Sequence, residues 1–124
     1  MSKTVLIADD EAKIARLAQI NLMRAGFEVM TAADGVEALA SIEQRRPDLL
    51  ILDVMMPHMD GFTVLERLRA DPKTADLPVV MMSAQTKDAD LLRAQHLGVA
   101  HYLPKPVNPA ELLRVVQEEL EAGD

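Results

Sequence analysis

The chain contains no cysteine, which removes disulfides, thiolate metal sites and cysteine nucleophiles from consideration. It has no tryptophan, and its only aromatic residues are Phe27, Phe62 and Tyr102. That is too few to build the stacking platforms on which single-stranded nucleic acids lie. No apolar run is long enough to cross a bilayer. Positive charge is also scarce, with 13 Lys and Arg against 20 Asp and Glu and a net charge of −7. No basic stripe offsets this, so the surface repels phosphate backbones and direct nucleic-acid binding is not expected. The N-terminus, Met1-Ser2-Lys3-Thr4, runs straight into an apolar segment without the shape of a signal peptide. A cytoplasmic protein with no membrane contact is the expectation.

What is present fits one globular domain over residues 1–124, with 49% hydrophobic and 27% charged residues. Short apolar runs alternate with segments of helical periodicity, the pattern of a parallel sheet whose strands are covered on both sides. Strands are expected near 4–8, 28–32, 49–53, 79–83 and 100–103, and helices near 11–25, 35–45, 62–70, 88–97 and 109–121. The first helix carries Ile14, Leu17, Ala18, Leu22 and Ala25 at helical spacing. Asp34 with Glu37, and Asn108 with Glu111, have the spacing of capping boxes, the second with Pro109 at the first helical position. Gly26 and Gly98 suit helix C-terminal caps. Five βα units with right-handed crossovers predict an α/β fold: a five-stranded parallel sheet in the flavodoxin-like order 2-1-3-4-5.

In such a sheet, ligands bind beyond the carboxyl ends of the strands. Asp9 and Asp10 follow Val5-Leu6-Ile7-Ala8, and Asp53 closes Leu49-Leu50-Ile51-Leu52. Lys105 follows Tyr102-Leu103-Pro104. Three carboxylates and an ammonium should therefore meet in one crevice. Each close carboxylate pair repels by about 4 kcal/mol at a near-surface dielectric, so the cluster calls for a cation. Oxygen ligands alone favour a hard ion such as Mg²⁺.

Each residue also has a plainer reading. Asp9-Asp10-Glu11 could simply favour a helix N-terminus, and Asp53 could cap the turn that follows it. A carboxylate ending a fully apolar strand is better explained as a nucleophile that attacks phosphorus and forms an acyl phosphate. Ser83 closes Val79-Val80-Met81-Met82, where a hydroxyl could cap a turn or donate to a phosphoryl oxygen. Lys105 lies between two prolines, and its bond to Pro106 is a candidate for the cis form. A compact ammonium facing carboxylates suits the charge that a phosphoryl group adds. His58, His96 and His101 share no helical spacing and are expected at exposed positions. Met55, Met56, Met59, Met81 and Met82 are read as loop packing and strand core.

Four segments, VLIADDE at 5–11, LLILDVMMPHMDG at 49–61, VVMMSA at 79–84 and GVAHYLPKP at 98–106, occur in an order and spacing that resemble the response-regulator receiver domains of two-component signalling, the CheY-like superfamily. The resemblance covers essentially the whole chain. It implies that Asp53 accepts a phosphoryl group from a histidine kinase or a histidine phosphotransfer protein. It implies Mg²⁺ held by Asp10, Asp53 and the backbone carbonyl of Met55, with Asp9 acting largely through water. Ser83 and Lys105 would contact phosphoryl oxygens, and Tyr102 would report activation through its rotamer. Met55 and Gln85 would tune phosphoryl lifetime, and Pro106 would be the cis-proline. Output would pass to a downstream protein through the fourth helix, fifth strand and fifth helix, with Lys87, Asp90, Arg93 and Tyr102 as contacts.

Some positions depart from the commoner receiver pattern. Ser83 replaces a frequent Thr, Ala8 is smaller than usual, Val107 stands where Phe often follows Lys-Pro, and Pro104 removes a donor, which suits only an edge strand. Other users of this fold fit less well. A flavin site wants a Ser/Thr-rich phosphate loop where Asp9-Asp10-Glu11 stands. An aspartyl phosphatase resembles this arrangement but places an acid where Met55 lies, and a P-loop signature is absent. A pseudo-receiver would lack part of the site. The expectation is a switch that does chemistry on itself and is not an enzyme for an outside substrate. It would stay mainly monomeric, because the fifth helix is rich in Glu. A stand-alone regulator is favoured over a receiver cut from a longer regulator with a C-terminal output domain.

Overall fold

Each of the five apolar runs becomes a strand, and each intervening segment becomes a helix. The computed structural model describes residues 2–121, with β1 Thr4–Ala8, α1 Ala12–Arg24, β2 Glu28–Ala32, α2 Gly35–Gln44, β3 Leu49–Asp53, α3 Gly61–Ala70, β4 Val79–Ser83, α4 Asp88–His96, β5 His101–Pro104 and α5 Pro109–Glu121. The strands form one parallel sheet in the order β2-β1-β3-β4-β5, as the alternation of elements predicted. Met1 and residues 122–124 of the expected 1–124 domain lie outside the described residues.

The three inner strands, β1, β3 and β4, are buried at every position, while β2 and β5 at the edges are only partly so. Side chains of successive strand residues leave opposite faces. Val5, Ile7, Leu49, Ile51, Val80 and Met82 therefore pack with Leu22 of α1 and Leu112, Val115 and Val116 of α5. Leu6, Ala8, Leu50, Leu52, Val79 and Met81 pack with Ile42 of α2, Phe62 and Leu65 of α3 and Ala94 of α4. Two apolar layers thus sandwich the sheet. Helix ends follow their local signals. Gly26 and Gly98 adopt positive φ (101° and 72°), and each sits in a Schellman turn. In the first turn Gly26 N–H donates to Met23 and Phe27 N–H to Leu22; in the second Gly98 N–H donates to Gln95 and Val99 N–H to Ala94. Asp34 accepts the Glu37 N–H at 2.8 Å, and Asn108 accepts the Ala110 N–H at 2.8 Å.

Three local expectations need correction. The apolar stripe of α1 is only partly covered by the sheet. Ala15 and Leu22 are the buried residues, Ala18 is half-buried, and Ala25 lies beyond the helix as an exposed C-cap. Ile14 and Leu17 remain 40% and 57% exposed and line an apolar cleft with Val107, Pro109 and Leu112. Small Ala15 lets the helix approach the sheet closely, and the larger residues fall to its flank. His101 is also not exposed. It is half-buried, with Nε2 3.3 Å from Glu119 of α5, because a residue of β5 faces the last helix. Met55 is no packing residue either: it is 58% exposed. The fifth strand ends at Pro104, opposite Ser83, and as an edge strand it tolerates the missing donor.

Candidate functional site

Parallel register makes β1, β3, β4 and β5 finish at one edge of the sheet. Ala8 pairs with Leu52, Asp53 with Met82, and Ser83 with Pro104. Residues at or just after these ends are therefore delivered to a single crevice. Asp9 and Asp10 emerge from β1, Asp53 closes β3, Ser83 closes β4, and Lys105 follows β5.

The crevice is organised around Lys105 Nζ, which lies 3.0 Å from Asp9 Oδ2, 3.0 Å from Asp53 Oδ2 and 3.2 Å from Glu11 Oε1. The Asp9 and Asp53 side chains are 0% and 3% exposed, and that of Lys105 is 11% exposed. Buried carboxylates need such partners, because an unpaired buried charge is strongly disfavoured. The remaining oxygens are held by backbone. Asp9 Oδ1 accepts the Glu11 N–H at 2.9 Å, and Asp53 Oδ1 accepts the Met55 N–H at 3.3 Å. Asp10 is exposed, yet one carboxylate oxygen from each of Asp9, Asp10 and Asp53 lies within 4.8 Å of the others. These three acids carry more negative charge than one ammonium offsets, and their all-oxygen donor set fits a hard divalent cation.

Electrostatics follow from this crowding. Burial pushes the Asp53 carboxyl up to about 6; Lys105 holds the rise back and the neighbouring Asp9 charge adds to it. Burial alone would lower the Lys105 pKa, but its hydrogen bonds to Asp53 and Asp9 prevail and hold it above the ordinary value. Asp53 thus keeps a basic, mostly ionised carboxylate at neutral pH beside a cation that cannot give up its charge.

The other expected site residues surround this centre. Ser83 is fully buried at the end of β4, and its Oγ accepts the Gln85 N–H at 3.0 Å. Among the described residues no hydrogen bond joins Ser83 to the carboxylates. Tyr102 is half-buried, and its hydroxyl donates to the Gln85 carbonyl at 3.1 Å, so β5 is tied to the loop after β4. Met55 and Gln85 are both exposed, each two residues past a strand end that forms the site. The Lys105–Pro106 bond is cis. Of the expected output contacts, Lys87 is exposed and Asp90 half-buried. Arg93 is engaged by α3: its guanidinium is 2.8 Å from Glu66 and lies over the Phe62 ring at 4.6 Å.

Three features were not singled out from the sequence. Glu11 was read as part of an acidic helix start, but its carboxylate makes no N-cap bond and turns to Lys105. Gly61 begins α3 directly behind the site, where a Cβ would lie 2.3 Å from the Asp53 carbonyl oxygen. That close approach is open only to glycine; the Asp-Gly pair at 60–61 was the available signal, since Asp60 also caps α3 by accepting the Thr63 N–H. His58 adopts φ 69° and places Nδ1 3.1 Å from Asp34 Oδ2, fastening the loop after β3 to the start of α2. The Glu37 N–H, followed by His58, holds Asp34 below the usual carboxylate range.

Comparison with known proteins gives one result. Residues 5–117 match the family model for the response regulator receiver domain. The chain is 42% identical over 120 residues to the DNA-binding dual master transcriptional regulator RpaA of Synechocystis, covering 97% of this chain and 50% of that protein. It is 41% identical to the alkaline phosphatase synthesis transcriptional regulatory protein PhoP of Bacillus subtilis, covering 90% of this chain and 46% of the relative. The chain thus spans about half the length of these curated relatives. Among solved structures, chemotaxis protein CheY4 of Vibrio cholerae superposes with a TM-score of 0.89 at 36% identity, covering 95% of this chain and 98% of that one. The receiver domain of Francisella response regulator 1452 gives 0.91 at 31% identity, with coverage of 99% and 100%.

Proposed function

The chain belongs to the response regulator receiver domain family of two-component systems, and we propose that it is a phosphorylation-driven switch whose phosphoryl acceptor is Asp53. The observation that carries this reading is the setting of that carboxylate. It is buried at a strand end, raised to about 6 and held 3.0 Å from the Lys105 ammonium, within reach of two further acids.

The donor would be a phosphohistidine on a histidine kinase or a histidine phosphotransfer protein. An Asp53 carboxylate oxygen attacks phosphorus, the new O–P bond forms, and the P–N bond of the donor breaks. The imidazole leaves with the electron pair and takes a proton from solvent. An acyl phosphate remains on Asp53. Little covalent work is asked of the protein, since catalysis here is positioning and charge stabilisation. Lys105 donates to an oxygen of the arriving phosphoryl group while staying beside Asp53, and the Ser83 hydroxyl donates to another. Asp10, Asp53 and the Met55 carbonyl would hold Mg²⁺, which supplies positive charge against the phosphoryl oxygens. The resemblance to receiver domains gives Asp9 an outer role through water. Reorientation of Ser83 would then act on the loop that Tyr102 fastens through Gln85. The face built from α4, β5 and α5 would change its affinity for a protein partner. The chemistry is directed at the chain itself and not at an external metabolite.

Incubation with Mg²⁺ and a small phosphodonor should add one phosphoryl group labile to hydroxylamine. Asp53→Asn should abolish it, and undiminished labelling of that variant would overturn the assignment. We place this activity in the cytoplasm, within one receiver domain that engages protein and, by its acidity, not nucleic acid. A second reading is favoured by the coverage of the relatives: this receiver serves a longer regulator with an output domain, and DNA binding belongs to that additional part.

A further inference from the structure

We propose that Glu11 is a positioning residue that acts through Lys105 and sets how tightly the site holds a phosphoryl group. The inference rests on Asp53 being the acceptor. An ammonium has three N–H donors, and in this structure Lys105 meets three carboxylates, on Asp9, Asp53 and Glu11. Its donors are fully committed, so a phosphoryl oxygen can be bound only as one acceptor is released. The three acceptors are not equally free to leave. Asp9 is wholly buried and its other oxygen is fixed by the Glu11 N–H, so releasing it would strand a buried charge. Asp53 carries the phosphoryl group and stays beside Lys105. Glu11 has a side chain 57% exposed and can return to water.

The position of Glu11 gives it this freedom without cost to the fold. It is the N-cap of α1, yet its side chain makes no capping bond. Its backbone N–H serves Asp9 while its carboxylate serves Lys105. Removing the carboxylate therefore spares the helix start and the Asp9 contact. Two effects oppose phosphoryl binding while Glu11 is charged: Lys105 must be detached from it, and its negative charge faces an incoming dianion. The same charge assists a divalent cation. Neutralising Glu11 should therefore move the two affinities in opposite directions, which loss of folded structure would not do.

The test compares wild type and Glu11→Gln, which keeps the shape and removes the charge. In metal-free protein, nitrogen-15 spectra of the Lys105 ammonium should shift and its protons should exchange faster with water. With Mg²⁺ titrated alone, binding should weaken. At saturating Mg²⁺, beryllofluoride should bind roughly 3- to 10-fold tighter, the scale of one half-exposed ion pair and one like charge removed. Unchanged or weaker beryllofluoride binding, or an unchanged Lys105 signal, would overturn the proposal. Failure of wild type to bind beryllofluoride at all would instead overturn the phosphoryl-acceptor reading on which it rests.

Discussion

Replacing the proposed nucleophile by its amide should make the metal-free protein more stable near neutral pH. Asp53 is raised from 3.8 to about 6, first by burial and further by Asp9, against the opposing pull of Lys105. The folded protein thus holds this proton more tightly than the unfolded chain does. The carboxyl favours folding below about pH 4, and that contribution is lost as pH rises through about 6. About two pKa units at ~1.4 kcal/mol each sets a ceiling near 3 kcal/mol. Solvent at the mouth of the crevice screens the group, and in Asp53→Asn the ammonium gives up one charged acceptor. A net gain of about 1 kcal/mol is expected at pH 7.5, or roughly 3–5 °C in Tm for a chain of this size. Thermal unfolding in chelator from pH 4 to pH 8 should show the advantage of Asp53→Asn growing through pH 6 and vanishing near pH 4. Added Mg²⁺ should reverse the order, because it binds the wild-type carboxylates and stabilises by linkage. A destabilised variant at pH 7.5, or a gain independent of pH, would refute the electrostatic account of the site.

Other perturbations follow from the same geometry. Asp10→Ala removes an exposed carboxylate from the three-acid group; it should raise the Tm of the metal-free protein by a few degrees and weaken Mg²⁺ binding at least tenfold, as calorimetry would measure. Met55→Asn and Gln85→Glu, singly and together, should alter the decay of the labelled protein without preventing labelling, because apolar Met55 cannot hydrogen-bond water and uncharged Gln85 cannot act as a base toward it; radiolabel loss over time reads this. Activation with beryllofluoride should leave the domain mainly monomeric in sedimentation experiments. The α5 surface carries four Glu and one Arg, Arg114, which is already paired with Glu111 and Glu118, so a two-fold contact there sets like charges together.

The architecture was legible because it rests on periodicity and local chemistry. Four-residue apolar runs such as Leu49–Leu52, short and set between Pro47-Asp48 and a loop, fit strands buried on both faces, and Gly26 and Gly98 end helices by reaching positive φ at no steric cost. From such elements the strand order followed. The candidate site was legible for a related reason: Asp9, Asp10, Asp53, Ser83 and Lys105 each sit at a strand terminus, and parallel topology sends all such termini to one edge.

Contacts that depend on helix rotation and side-chain reach were not legible. Periodicity placed Ile14 and Leu17 on an apolar stripe, but the stripe is wider than the surface α1 covers, and packing against the sheet selected Ala15 and Leu22. His101 was assigned to solvent because nothing local marks it, while its Glu119 partner arrives from α5, 18 residues on. The need for glycine at position 61 emerged only when α3 was set against the Asp53 carbonyl. Sequence by itself thus determined which residues are strand, helix and strand end, since period and turn chemistry are properties of neighbours along the chain. Only tertiary structure decided that Glu11 joins Asp9 and Asp53 at Lys105. An ion pair between residues 11 and 105 depends on the distance across a folded crevice, and no local pattern encodes that distance.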